Sequence, residues 1–186
     1  MTIRLHRGDL PDQDLARYAG SAAIDTETMG LNPHRDRLCV VQMSPGDGTA
    51  DVIQIARGQH DAPNLKKLLG DPAVVKIFHF ARFDLAALYN ALGVMPQPVY
   101  CTKIASRLTR TYTDRHGLKD LVRELLNIDL SKQQQSSDWG AQTLSDAQLA
   151  YAASDVLHLH ALRGRLDAML AREDRAGMAQ ACFEFL

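Results

Sequence analysis

A chain of 186 residues with 46% hydrophobic and 23% charged side chains can bury one substantial core, which excludes a disordered, collagen-like or disulfide-stapled chain. Its formal net charge of -1 excludes the strong basic excess with which proteins hold long nucleic acids, so any such partner is expected to be short, or held by a few local basic residues and metal ions. No apolar stretch reaches membrane-spanning length and the N-terminus lacks the apolar core of a secretory signal, so no membrane contact and a cytoplasmic location are expected. Cys39, Cys101 and Cys182, odd in number and far apart among apolar neighbours, read as buried thiols without chemistry.

In chain order, Ile3 to His6 predicts a short strand, and Asp9 or Asp12 a cap for a helix running to about Ala19. Ser21-Ala-Ala-Ile-Asp25-Thr-Glu27 reads as a buried strand opening into the Thr-Met-Gly-Leu31 loop. Leu38 to Met43 and Ala50 to Ile55, joined by the Pro45-Gly-Asp-Gly48 turn, extend it to a three-stranded meander. Pro63 to Leu69 predicts a helix stopped by Gly70-Asp-Pro72, and Val74 to Phe78 a further strand. From Ala81 apolar residues recur at helical spacing until Gly93.

Val99 to Cys101 suits a last short strand, followed by helices over Thr102 to Thr109 and Gly117 to Asn127. The polar stretch from Asp129 to Thr143 reads as a loop with short helical pieces. Ser145 and Gln148 form a capping-box pattern that starts one long helix through Tyr151, Asp155 and Leu162. A final helical piece ends in Phe183, Phe185 and Leu186, which would be exposed unless docked on the core or on another subunit; a subunit contact is the expectation. The pattern as a whole predicts one mixed α/β domain, a central sheet flanked by helices.

The chemistry concentrates at the end of the second strand. Side chains alternate along a strand, so Asp25 and Glu27 share a face and Thr26 takes the other; two like charges side by side call for a counter-charge such as a divalent cation. Asp84, near the start of a helix that follows a core strand and His79, fits either a member of the same carboxylate cluster or an acid complementing the helix dipole. Tyr151 and Asp155, four apart, lie one above the other on a helix otherwise largely apolar. Trp139 reads as a packing anchor, and His158 with His160, two apart on a helix, as no metal pair.

Asp25-x-Glu27 at a strand end, His79 with Asp84, and Tyr151-x-x-x-Asp155 on a late helix resemble the three motifs of the DEDD 3′-5′ exonucleases, and the tyrosine marks the DEDDy branch. Gln134-Gln-Ser-Ser-Asp-Trp139 followed by Gln148-Leu-Ala-Tyr-Ala-Ala-Ser-Asp155 is similar to RNase D in particular, over about residues 20 to 165. The resemblance implies an RNase H-like fold and a site in which Asp25, Glu27, Asp84 and Asp155 hold two Mg²⁺ or Mn²⁺ ions while Tyr151 positions the attacking water. It implies hydrolysis of the 3′-terminal phosphodiester with release of nucleoside 5′-monophosphates.

Full-length RNase D carries helical C-terminal domains that have no counterpart here, so the chain looks like the compact, standalone RNase D-like exonucleases of the nanoRNase C type, a single exonuclease domain with a helical tail over 166–186. Those relatives act on very short single-stranded RNA, including dinucleotides, and assemble as ring-like octamers, so a homo-oligomer is expected. Alternatives are trimming of longer RNA 3′ ends, a DNA exonuclease, or a nucleic-acid-binding or assembly module without catalysis. For substrate contacts the resemblance points to Leu31 as an apolar wedge between the terminal bases, with Met29 as the alternate, and to Thr26 and His79 beside the motif acids. Lys103, Ser106 and Arg107, within one helical turn, are candidates for a 5′ phosphate.

Overall fold

A computed structural model describes residues 2–32, 34–131 and 133–186. Six strands form one sheet: β1 (Thr2–Arg7), β2 (Ser21–Thr28), β3 (Leu38–Ser44), β4 (Thr49–Gln54), β5 (Val75–Phe78) and β6 (Val99–Cys101), in the order β1-β4-β3-β2-β5-β6. The expected meander is present as antiparallel β2–β3 and β3–β4 pairs, while β1, β5 and β6 join in parallel, which makes the sheet mixed. All seven residues of β3 are buried, because helices cover both faces at the middle of the sheet. The RNase H-like α/β architecture expected from the motifs is therefore the one observed.

The helices are α1 (Asp12–Leu15), α2 (Pro63–Gly70), α3 (Ala81–Leu92), α4 (Thr102–Thr109), α5 (Leu118–Leu126), α6 (Asp146–Leu157), α7 (Leu159–Arg172) and α8 (Ala176–Phe185). Helix α6 lies over β2, β3 and β4, with α3 against β2, β3, β5 and β6. Two hydrophobic clusters result. The larger runs through Ile24, Val41, Met43, Ile53, Leu88 and Leu162; the smaller joins Val40 and Val52 to Trp139, Leu144 and Ala152. Alternation along β3 and β4 sends successive valines and isoleucines to opposite sides.

Several expectations need correction. Helix α1 is a single turn that ends at Leu15, and Asp9 caps α2 instead: its carboxylate accepts the backbone N–H groups of Asn64 (2.8 Å) and Leu65 (2.9 Å), which Ala62 at the N-cap cannot satisfy. The capping box of Ser145 and Gln148 is formed as expected, but the helix it starts stops at His158 and restarts as α7. The described residues of 129–143 contain turns and no helix. Cys39 and Cys101 are buried, whereas Cys182 is partly exposed. At the C-terminus Phe183 packs into its own chain, its ring 4.7 Å from that of Tyr100, and only Phe185 stays outward, 90% exposed.

Candidate active site

Four acids converge from three elements. Asp25 and Glu27 leave the same face of β2, towards α6, which presents Tyr151 and Asp155 one turn apart. One carboxylate oxygen from each of Asp25, Glu27 and Asp155 lies within 4.8 Å of the others. Asp84, in the first turn of α3 and 2% exposed, lines the same cavity and is held by the Thr26 hydroxyl, which donates to it at 2.6 Å. Thus Thr26, on the alternate face of β2, ties the fourth acid to the strand that carries the first two. Gln42 of β3, directly opposite Asp25, donates through its Nε2 to Asp25 at 2.7 Å and to Glu27 at 3.3 Å.

Burial raises the proton affinity of every acid in the cluster, and repulsion from the other acids adds to it at Asp25 and Glu27. Asp25 is pushed well above the usual carboxyl range by burial and then by Asp84, Asp155 and Glu27. Burial, then the Asp155 charge, raises Glu27 to about 8; burial raises Asp84 and Asp155 to about 7, against hydrogen bonds from Thr26 and Tyr151 respectively. No Lys or Arg of the described residues forms an ion pair with any of them. Hard oxygen donors, crowded together and served only by neutral donors, fit a hard divalent cation such as Mg²⁺. The Tyr151 phenol is raised far above its ordinary range by burial and then by the Asp155, Glu27 and Asp25 charges, so it keeps its proton at neutral pH.

The acids open into a cavity of about 740 Å³. Met29 and Leu31 stand on its rim, Leu31 84% exposed, so neither is part of the core. His79 borders the cavity with its Nδ1 2.9 Å from the Thr102 hydroxyl, and burial, then Lys103, depresses its pKa to about 3, which leaves it neutral. Lys103 also lines the cavity. Its two companions do not: Ser106 turns inward to His116 (2.8 Å) and the Arg110 guanidinium (3.0 Å), and Arg107 is exposed away from the lining. Trp139 is a packing residue, 3% exposed, with its ring 6.0 Å from Tyr151 at the cavity wall.

Sequence reasoning missed Gln42, Lys119 and Phe80. Gln42 is a lone amide in an apolar strand, and Lys119 enters the cavity wall from the start of α5. Phe80 is the N-cap of α3 in a left-handed backbone conformation (φ 67°, ψ 50°), strained for an aromatic residue, and it keeps its half-exposed ring on the cavity wall with the Lys103 ammonium 4.1 Å from the ring centre. A signal existed: an aromatic stands where helix starts favour Ser, Thr, Asp or Asn.

Residues 13–171 match the 3′-5′ exonuclease family. A ribonuclease D of Gluconacetobacter diazotrophicus is 39% identical over 82% of the chain, which spans 38% of that relative's length. Two solved structures of Brucella melitensis NrnC align over the whole chain: one with bound Mg²⁺ (65% identity, TM-score 0.95, 90% of that protein covered) and one bound to pGG (66% identity, TM-score 0.96, 89% covered). Escherichia coli RNase D shares the fold at 26% identity, with a TM-score of 0.76 over 98% of the chain and 51% of its own. Matched by that family over most of its length and similar in sequence and fold to these nucleases, the chain belongs to the 3′-5′ exonuclease family, among its RNase D-like members.

Proposed function

We propose that this chain is a metal-dependent 3′-5′ exoribonuclease acting on very short single-stranded RNA, dinucleotides included, to give nucleoside 5′-monophosphates. The observation that carries the reading is the grouping of Asp25, Glu27 and Asp155, with Asp84 lining the same open cavity and Tyr151 beside them, unpaired with any Lys or Arg of the described residues. These four carboxylates would hold two Mg²⁺ or Mn²⁺ ions. Bound there, such ions supply Lewis acidity, a more acidic water and neutralisation of charge on the leaving oxygen. The chain's own residues do the rest. Tyr151, one turn before Asp155 on α6, would orient the attacking water by hydrogen bonding. Thr26 keeps Asp84 aimed at the common cavity.

The walls suit a short ligand. Leu31 and Met29 offer an apolar edge to separate bases, Phe80 an aromatic face to stack on, and Lys103 with Lys119 two ammonium groups for phosphates. The phosphate role therefore rests on Lys103 and Lys119, with Ser106 engaged elsewhere. The size of pGG, two guanosine units with a 5′ phosphate, in the NrnC complex supports a ligand of this length. Assembly into a ring-like octamer is part of the same proposal, supported by the outward Phe185; light scattering in solution measures it.

The test is a time course on 5′-labelled RNAs of two to about ten nucleotides with Mg²⁺, beside the matching DNAs. Fastest turnover of the dinucleotide is expected. A rate that grows with length favours trimming of longer RNA 3′ ends, faster cleavage of DNA favours a deoxyribonuclease, and no Mg²⁺-dependent release of monophosphates overturns the enzyme reading.

A further inference from the structure

We infer that Gln42 is a positioning residue of the metal site: its amide fixes the Asp25 and Glu27 carboxylates in the orientation a divalent cation needs, without competing with that cation. The inference rests on reading the four acids as a Mg²⁺ site. In the antiparallel β2–β3 ladder Asp25 pairs with Gln42, which makes Asp25 its direct cross-strand neighbour and Glu27, two residues on, its diagonal neighbour on the same face. One NH₂ group thereby reaches both acids, at 2.7 and 3.3 Å. Each carboxylate gives one oxygen to the amide and retains another.

The rest of the Gln42 environment explains nothing else about it. The residue is fully buried in a strand whose neighbours are Val40, Val41 and Met43, and its Oε1 has no hydrogen-bond partner among the described residues. A buried acceptor without a partner costs the fold stability, so an apolar side chain of the same length would suit the fold at least as well. The reverse amide orientation would set Oε1 against two acids, so their presence selects the one observed. A lysine or arginine would also hold them, but as an internal counter-ion it would occupy the charge that a metal must neutralise. A neutral donor orients and leaves the charge intact, as the hydrogen bonds of outer ligands do around metal sites.

The experiment uses the full chain and two variants, Gln42→Met and Gln42→Lys, with thermal midpoints recorded against Mg²⁺ concentration, alongside KM and kcat on a short RNA. For Gln42→Met we expect a metal-free midpoint at or above that of the unmodified protein, a half-saturating Mg²⁺ concentration raised about 10-fold or more, and a kcat deficit that shrinks as Mg²⁺ rises while KM changes little. For Gln42→Lys we expect a raised metal-free midpoint and loss of the Mg²⁺ shift, since the ammonium stands in for the ion. An unchanged half-saturation in Gln42→Met overturns the role, as does a lowered metal-free midpoint with normal Mg²⁺ affinity, which would make Gln42 a fold residue. A retained Mg²⁺ shift in Gln42→Lys also overturns it. Absence of any Mg²⁺ shift in the unmodified protein would instead remove the metal-site reading itself.

Discussion

Among the described residues, two groups of side chains on this sheet have the spacing to hold a metal ion, and they are built on opposite principles. One is Asp25, Glu27 and Asp155; the other is His6, Asp14 and Asp51, between β1, β4 and α1. In the second group Asp51, with no exposed surface, accepts from the Tyr18 hydroxyl at 2.7 Å, from His6 at 2.9 Å and from the Arg17 guanidinium. Asp14 faces Arg17 at 3.4 Å and Arg4 at 3.8 Å. Its positive charges are already in place, supplied by the fold. In the first group the side-chain donors among the described residues are neutral, Gln42 and the Tyr151 phenol, and Thr26, also neutral, holds the neighbouring Asp84. Distance alone does not separate a metal site from an ion-pair cluster; the sign of the charge left over does.

The largest effect should come from the group with charge to spare. Asp25→Asn or Asp155→Asn is expected to lower Mg²⁺-dependent exonuclease turnover at least about 100-fold while leaving the metal-free thermal midpoint at or above its normal value, because repulsion is relieved. Release of labelled monophosphate and a melting curve measure both. Asp51→Asn, in the self-compensated group, is expected to do the reverse: about 1–3 kcal/mol of stability lost in urea titration, because Tyr18, His6 and Arg17 lose a fully buried charged acceptor while Arg17 keeps other acids, Asp14 and Asp47, beside it, with the Mg²⁺-induced shift in midpoint retained.

The pH dependence sharpens the contrast further. Between pH 6.5 and 8 an unfolded chain has already released its carboxyl protons, while the folded cluster, with Asp84 and Asp155 raised to about 7 and Glu27 to about 8, still holds some. The folded state then binds more protons, so metal-free stability should fall as pH rises through this window. His79, depressed to about 3, stays neutral there in the folded state and acts with the opposite sign only where the unfolded imidazole is charged, below about 6.5. Urea midpoints should decline from pH 6.5 to 8 without Mg²⁺ and decline less, or rise, with it. The smallest effect is expected at the cavity wall. In Phe80→Gly the relief of a left-handed backbone and the loss of a cation–π contact, each about 1 kcal/mol, nearly cancel in stability, and a several-fold rise in KM for short RNA remains.

What could be read from the sequence was local or periodic. The strand ending in Asp25 and Glu27, the capping box at Ser145 and the Tyr151–Asp155 pair each lie within a few residues, and their geometry follows from alternation or from the helical turn. Asp9 misled because its partners, Asn64 and Leu65, come from another element, whereas helix-start rules look only a few residues ahead. Ser106 misled for a related reason: helical spacing brings it near Lys103 and Arg107 but says nothing of His116 and Arg110, which claim its hydroxyl. Gln42 was invisible because its function depends on strand register, and register exists only once two strands are paired. Phe183 followed the same rule in reverse: Tyr100, far away in the chain, covers it.

The carboxylate of Asp9 also stitches distant parts of the polypeptide into a single cooperative unit. Because the first turn of α2 borrows its acceptors from the segment that precedes β2, and Asn64 returns the favour by donating to the Leu10 carbonyl at 2.7 Å and to Asp12 at 2.8 Å, neither stretch is complete by itself. Fraying at the amino-terminal edge would therefore open the start of that helix at the same moment, and protease nicking near residue 10 should expose amides more than fifty positions downstream.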